Sequence, residues 1–455
     1  MIIAPVRATS LFETGGNRLD ARYFSAPAVR IRSVLAASGD VELRAIGGKD
    51  GLASVTAPSR FKRIYATPGE KYVSYLRPYD VFEFLPPEAD RLSVSRTAHL
   101  DGYRIKAGDL LQTCSGRNLG PLTIADKYLA RFALSHDMIR ITIDDETDRY
   151  YTLAFLRSRT GQHLLRGDLS GSVIDHITPD HVSAVQVPII GSIRDTVATL
   201  TREAIDLREA ARTTLHDAVE QLNAKFPTTP ETSYRDGWTL RAAALGTRLD
   251  AAFHSAHVRR LSERMLADGG ILMGDVAEVQ KPGGRYKTYY VGQGQGTPLL
   301  SGRQILQLDV VAAKNISSRS VKADSGYELR PGWIVFQADG RAEESLGYPS
   351  VVTGERDGWF ASGHVGRVIP GDLADTGWLW AAIASDAVQE QITALACGSV
   401  IDALYPETLK GVVLPPRELV DSATVNSAWD DLSAAAAKAD EATRLIEDSL
   451  TTIGV

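Results

Sequence analysis

Two stretches of the chain interleave basic side chains with Tyr, Ser, Asn and Gln. The first runs Arg60-Phe61-Lys62-Arg63-Ile64-Tyr65, then Lys71-Tyr72-Val73-Ser74-Tyr75-Leu76-Arg77-Pro78-Tyr79, and resumes at Ser115, Arg117 and Asn118. The second carries Lys281, Arg285 and Lys287, then Ser301-Gly302-Arg303-Gln304, Lys314 and Arg341. These are the side chains a nucleic-acid groove requires. Lys and Arg neutralise phosphates, while Arg, Asn and Gln form paired hydrogen bonds to base edges, each pair worth roughly 1–3 kcal/mol of discrimination. Taken singly, each residue reads equally well as part of a solvated loop. The binding reading gains from recurrence: Arg77 and Arg303 lie 226 apart, Arg117 and Arg341 lie 224 apart, and His136 and His364 lie 228 apart. The histidine pair also suits a core hydrogen-bonding role.

No catalytic constellation competes with this reading. The chain has no phosphate-binding loop, dinucleotide glycine pattern, nucleophile elbow or His-Glu-x-x-His motif. The Gly-rich piece Val291–Gly296 is followed by Pro298 and lacks a strand–turn–helix setting, so it reads as a loop. Cys114 and Cys397 are the two cysteines, and neither has a neighbouring Cys or a spaced His pair. That argues against a zinc site or a disulfide framework and fits a reducing cytoplasm. The N-terminus has no signal-peptide pattern, and no apolar run is long enough for a membrane span.

The elements that must position these loops are read from periodicity. Residues 192–225 contain no Pro or Gly, open on a Ser192 N-cap and stop at Phe226-Pro227. Their apolar seam runs Ile193, Val197, Leu200, Ala204, Leu207 and Ala211, then slips by one to Leu215, Ala218 and Leu222. A second helix over 417–450 has the seam Val425, Trp429, Leu432, Ala436, Ala439, Thr443, Ile446 and Leu450. The two helices carry net charges of -1 and -5, which account for the whole chain's -6, so the globular parts are free to present basic faces.

The helices come twice because the chain is an internal repeat with a period near 225–230 residues. Asn17-Arg18-Leu19-Asp20-Ala21 returns as Thr247-Arg248-Leu249-Asp250-Ala251, and Gly171-Ser172-Val173-Ile174-Asp175 returns as Gly398-Ser399-Val400-Ile401-Asp402. Pro179 and Pro406 follow, then strands ending Val187-Pro188 and Leu414-Pro415, then a long helix each time. Arg18/Asp20 and Arg248/Asp250 are common to both halves, so they read as a structural Arg–Asp tie at a helix start. Within each half, helices are expected over 28–37 and 257–267, and over 151–159 and 378–395, with short strands between. The fold class is α+β: two similar domains, an internal repeat, joined by two long helices that pair as a spacer. The boundaries are 1–190 for the first domain, 191–226 for the first helix and 227–245 for a linker. The second domain occupies 246–416 and the second helix 417–455.

On the RLDA-type openings, the Gly-Ser-x-Ile-x-x-x-x-Pro stretches and the Val-Pro or Leu-Pro entry into each helix, the chain resembles the specificity (S) subunits of type I restriction-modification systems. The resemblance spans essentially the whole length. It implies two target-recognition domains, each reading half of a bipartite asymmetric site in double-stranded DNA, an antiparallel coiled coil formed by the two long helices, and no catalytic centre. Methyltransferase (M) subunits, and in the full enzyme nuclease/translocase (R) subunits, assemble around such a chain. S-adenosylmethionine, ATP and Mg are then cofactors of those partners, with none bound here. The resemblance leaves two alternatives open: a specificity subunit of a methyltransferase-only or other phage-defence complex, and a duplicated protein-interaction scaffold.

Overall fold

The computed structural model describes residues 26–39, 41–88, 90–116, 118–167, 176–228, 238–246, 248–283, 287–292, 294–320, 326–342, 344–398 and 400–455. It has mixed helix and sheet content, as an α+β chain should. Contacts divide it into two compact units, Met1–Glu209 with Ala434–Val455, and Ala210–Ser433. Both dividing points fall inside long helices, so each unit owns half of each helix.

The first unit is built on a four-stranded antiparallel sheet in the order Ser54–Thr56, Met138–Thr142, Leu110–Thr113, Leu122–Ile124. The second unit has Ala277–Gln280, Val365–Pro370, Ile334–Gln337 and Pro349–Val351 in the same order and sense. Each unit has a second sheet, of three strands in the first and four in the second, whose last pairing is parallel: Tyr72–Leu76 with Ala133–Leu134, and Thr297–Leu300 with Phe360–Ala361. A third pairing closes each unit, joining Glu42–Ala45 to Gln186–Ile189 and Ile271–Leu272 to Val413–Leu414.

The segments read as single helices over 151–159 and 378–395 are each two helices. They run Glu146–Arg157 then Arg159–Arg166, and Thr376–Ala384 then Asp386–Leu395. Ser158 and Ser385 break them, both in extended conformation with ψ of 159° and 147°. Ser158 caps the second helix by accepting from the Gly161 amide. The breaks are braced alike. The Gln162 amide donates to the carbonyls of Leu156 and Gly120, and the Gln389 amide to those of Ile383 and Gly347. Gly120 and Gly347 both hold positive φ, at 98° and 78°, where a side chain would be strained.

Each long helix is launched by a ring donor. The Tyr151 hydroxyl donates to the Pro188 carbonyl at 2.7 Å, and the Trp378 indole donates to the Pro415 carbonyl at 3.1 Å. Tyr151 and Trp378 lie 227 residues apart, as do the two prolines. An arginine adds to each entry. Arg44 and Arg194 converge on the buried Asp148 at 2.9 and 2.8 Å, and Arg417 reaches Asp375 at 3.0 Å.

The helices run Arg194–Lys225 and Ser422–Thr452. The second begins five residues later than its sequence suggests, because Arg417–Leu419 form a 3-10 turn and Asp421 caps the true start. In the first unit, Ala204 packs on Ala435 and Ala439, and Lys438 pairs with Glu203 at 2.7 Å. Val197 and Ile205 share the unit's main core with Ala442, Ile446 and Leu450. Ala435 and Ala442 are fully buried and widen the expected seam by one position. Around the seam slip, Arg208 and Arg212 are 4% and 3% exposed, so they belong to the helix interior and not to a solvated face.

The expected Arg–Asp tie is present in the second unit, where Arg248 grips Asp250 through Nε and Nη2 at 2.8 and 2.9 Å. It braces a turn ahead of helix Ala256–Ala267, and Arg248 also donates to the Leu395 and Ala396 carbonyls. Arg18 and Asp20 lie outside the described residues, as does the Gly171–Asp175 stretch.

Candidate nucleic-acid interface

Three chain segments meet at one corner of each unit. In the first, Arg77 leaves the end of Tyr72–Leu76 beside Ser135-His136-Asp137, which leads into Met138–Thr142. The third segment is the end of Leu110–Thr113, where the Cys114 amide donates to the Asp137 carbonyl at 3.2 Å and Ser115 follows. Ser115 Oγ lies 3.2 Å from Nδ1 of His176. The Arg77 guanidinium reaches Asp90 at 3.0 Å yet stays 58% exposed, so the pair leaves it free to meet a phosphate. Asn118 is half-buried beside this corner, and its carbonyl accepts from the Thr113 hydroxyl. His136 is one-fifth exposed and 3.6 Å from Asp137. Burial pushes the Cys114 thiol above its ordinary range, which suits a packed side chain and not a nucleophile.

The second unit assembles its corner from the corresponding segments. Ser301 follows Thr297–Leu300, the Ser362 amide donates to the Leu300 carbonyl, and the Ala338 amide donates to the His364 carbonyl. Asp339 then collects two candidates onto one carboxylate, Lys281 at 2.6 Å and His364 at 2.8 Å. Lys281 is only 19% exposed, so it serves this internal pair, whereas His364 remains 70% exposed. Arg341 and Arg303 stand on the surface.

Hydrogen-bond register revises the sequence matches. Arg77 and Ser301 occupy the same turn position, because their amides donate to the side chains of Asp80 and Gln304 respectively. Arg303 therefore corresponds to Tyr79, not to Arg77. Thr113 pairs with Met138 and Gln337 with Val365, so His364 corresponds to Asp137, not to His136. Arg117 and Arg285 lie outside the described residues, so the match of Arg117 to Arg341 rests on the sequence alone.

Two further candidates leave the surface. Ser74 is 5% exposed inside its strand, where nothing outside the protein can reach it. Gln304 is spent on its own loop, accepting from the Ser301 amide and hydroxyl and donating to the Val311 carbonyl. The remaining candidates lie away from the corners. Lys62, Arg63 and Tyr65 are exposed on the segment bridged to Leu92, and Lys71 lies at the opposite end of its strand from Arg77. Exposed tyrosines carry cations here: Arg91 over Tyr72 at 4.6 Å, Lys287 over Tyr289 at 4.9 Å and Lys314 over Tyr290 at 4.9 Å. Arg63 lies 5.5 Å over the buried Tyr75 ring. Such cation–π contacts hold basic heads in place without neutralising them. Residues 60–77 hold five basic and one acidic side chain, and residues 281–303 hold four basic and no acidic ones. Sequence reasoning missed Asp137 and Asp339, because only the strand register brings a carboxylate to these corners.

Among the described residues no group of three or more His, Cys, Asp or Glu side chains is placed to hold a metal ion. No described helix is long and apolar enough to cross a membrane. No family model and no curated protein matches the chain. Solved structures do. The S subunit of a type I restriction-modification system from M. genitalium aligns over 91% of this chain and 93% of its own, at 15% identity and a TM-score of 0.28. The HsdS subunit from Thermoanaerobacter tengcongensis aligns over 90% and 98%, at 14% identity and a TM-score of 0.27. A structure described as the basis of complex assembly and conformational transition of the type I R-M system aligns over 88% and 95%, at 15% identity and a TM-score of 0.27. Over about nine-tenths of its length, this chain is similar to type I restriction-modification S subunits.

Proposed function

We propose that the chain is the DNA sequence-specificity subunit of a type I restriction-modification complex, a duplicated α+β protein that reads a bipartite, asymmetric site. One observation carries the proposal. Each unit brings the same three segments to one corner with the same strand register, yet fills that corner with different polar side chains. Arg77, Tyr79, Ser115 and Asp137 in one answer to Ser301, Arg303, Asp339 and His364 in the other. A common scaffold with divergent hydrogen-bonding groups suits two half-sites of different sequence. Arg donates to guanine, a carboxylate accepts from cytosine N4, and Ser or Tyr fixes phosphate or base edges.

In this reading the long helices form an antiparallel coiled coil that sets the distance between half-sites. At 1.5 Å per residue, helices of 32 and 31 residues are about 46–48 Å long, a little over one DNA turn of about 34–36 Å. The chain supplies recognition and scaffolding. Methyltransferase subunits, and nuclease subunits where the system has them, supply S-adenosylmethionine, ATP and Mg chemistry.

The test is to co-express the chain with its methyltransferase partner and sequence the modified bases of the host DNA. A single two-part asymmetric motif, with binding that weakens steeply as salt rises, is the expected result. Assembly without salt-sensitive DNA binding would point instead to a protein-interaction scaffold.

A further inference from the structure

The Gly-Ser-Val-Ile-Asp stretch is the most closely repeated piece of the chain, and neither the core nor the reading corner explains its apolar pair. Val400 is 83% and Ile401 64% exposed, among the most exposed large hydrophobic residues described. They connect two short strands, Cys397–Gly398 and Asp402–Ala403. This hairpin is welded to the reading corner. Asp339 pairs with Ala403 and Gly340 with Asp402, and the Ala342 amide donates to the Asp402 carboxylate at 3.0 Å. Arg341 therefore lies between two anchored residues. Tyr405 further along is also exposed, with Lys281 5.7 Å over its ring.

We propose that Val400 and Ile401 form a DNA-contacting wedge that is independent of base sequence, an inference that rests on the DNA-reading function above. Two facts carry it. The pair projects from the strand beside Arg341 and Asp339, so DNA seated on that corner lies within its reach. The pair is also identical in the first half, as Val173-Ile174, whereas the corner residues differ between halves. Groups common to both halves cannot distinguish half-sites, and apolar side chains cannot hold phosphates. They suit sugar edges and base-step faces, the surfaces that apolar wedges meet when they unstack or bend a duplex.

The experiment uses the full chain assembled with its methyltransferase subunits. Double substitution Val400→Ser with Ile401→Ser is expected to leave the melting temperature and assembly unchanged, since both residues are exposed. Affinity for specific DNA should fall roughly tenfold or more, from the lost apolar burial. The slope of log Kd against log salt should stay the same, because no counterion-releasing contact is removed. The methylated sequence should also be unchanged. A second measurement needs no substitution. Cys397 is exposed and Cys114 buried, so specific DNA should slow alkylation of Cys397 in the assembled wild-type complex. Unaltered affinity together with unprotected Cys397 overturns the wedge and leaves the reading function standing. Failure of the variant to join the methyltransferase overturns it in favour of a protein-docking tip. A wild-type complex that binds no DNA overturns the reading function itself.

Discussion

At the scale of single residues, exposure separates side chains that can meet DNA from those that hold the protein. Arg77 keeps most of its surface despite its contact with Asp90, and such exposed pairs contribute little to stability. Arg77→Ala should therefore leave the melting temperature nearly unchanged. In titrations of the assembled complex it should lower the salt slope of DNA binding by about 0.9, the value of one phosphate contact. An unchanged slope and unchanged methylation motif would remove Arg77 from the interface. Tyr151 is the opposite case. It is fully buried, and its hydroxyl donates to Pro188, so Tyr151→Phe should destabilise the chain by about 1–2 kcal/mol in thermal or urea unfolding. Burial also pushes its pKa up from 10.0 to about 12. The folded state thus favours the neutral phenol. This contribution is complete below pH 10 and lost as pH rises through about 12, so the Tyr151→Phe variant should lack that part of the alkaline loss.

At the scale of elements, the two breaks at Ser158 and Ser385 carry the clearest structural logic. Each break turns the chain so that a glutamine behind it can reach a positive-φ glycine in the loop below the central sheet. Gln389→Ala strands the carbonyls of Gly347 and Ile383 and should cost about 1–3 kcal/mol, measured by unfolding of the full chain. Sequence alone reads both breaks as continuous helix, because serine inside an apolar-periodic run does not announce a cap. The long helices were legible for the reason these breaks were not: more than thirty residues of apolar periodicity without Pro or Gly outweigh any local exception, the seam slip included. Even there, the burial of Arg208 and Arg212 was invisible, since a charged residue in a pattern reads as a solvated face. The candidate site divides the same way. Basic loops could be picked out by composition, but residue types carry no register. Only the ladders reveal that Ser301 matches Arg77 and that Asp339 draws in Lys281 and His364.

At the scale of the whole molecule, the proposal turns on the long helices acting as a ruler, and geometry makes that quantitative. Removing seven residues shortens a helix by about 10 Å at 1.5 Å per residue, which is close to three base pairs at about 3.4 Å each. A heptad is the smallest unit that keeps the apolar seam facing its partner, because any shorter deletion rotates it away. Both helices must be cut together and in register. Glu203 faces Lys438, and Ala204 packs on Ala435 and Ala439, so residues 199–205 correspond to residues 436–442. This stretch avoids the buried arginines at the seam slip and the aromatic ties that launch each helix. The double deletion removes Ile205 and Ala442 from the first unit's core but no corner residue, so in a variant that still folds and assembles each half-site should keep its sequence. The modified-base map should show the same two half-sites separated by about three fewer base pairs. A map with the original spacing would mean that something other than the helices sets the distance. A map with altered half-sites would mean that the corners are not independent readers.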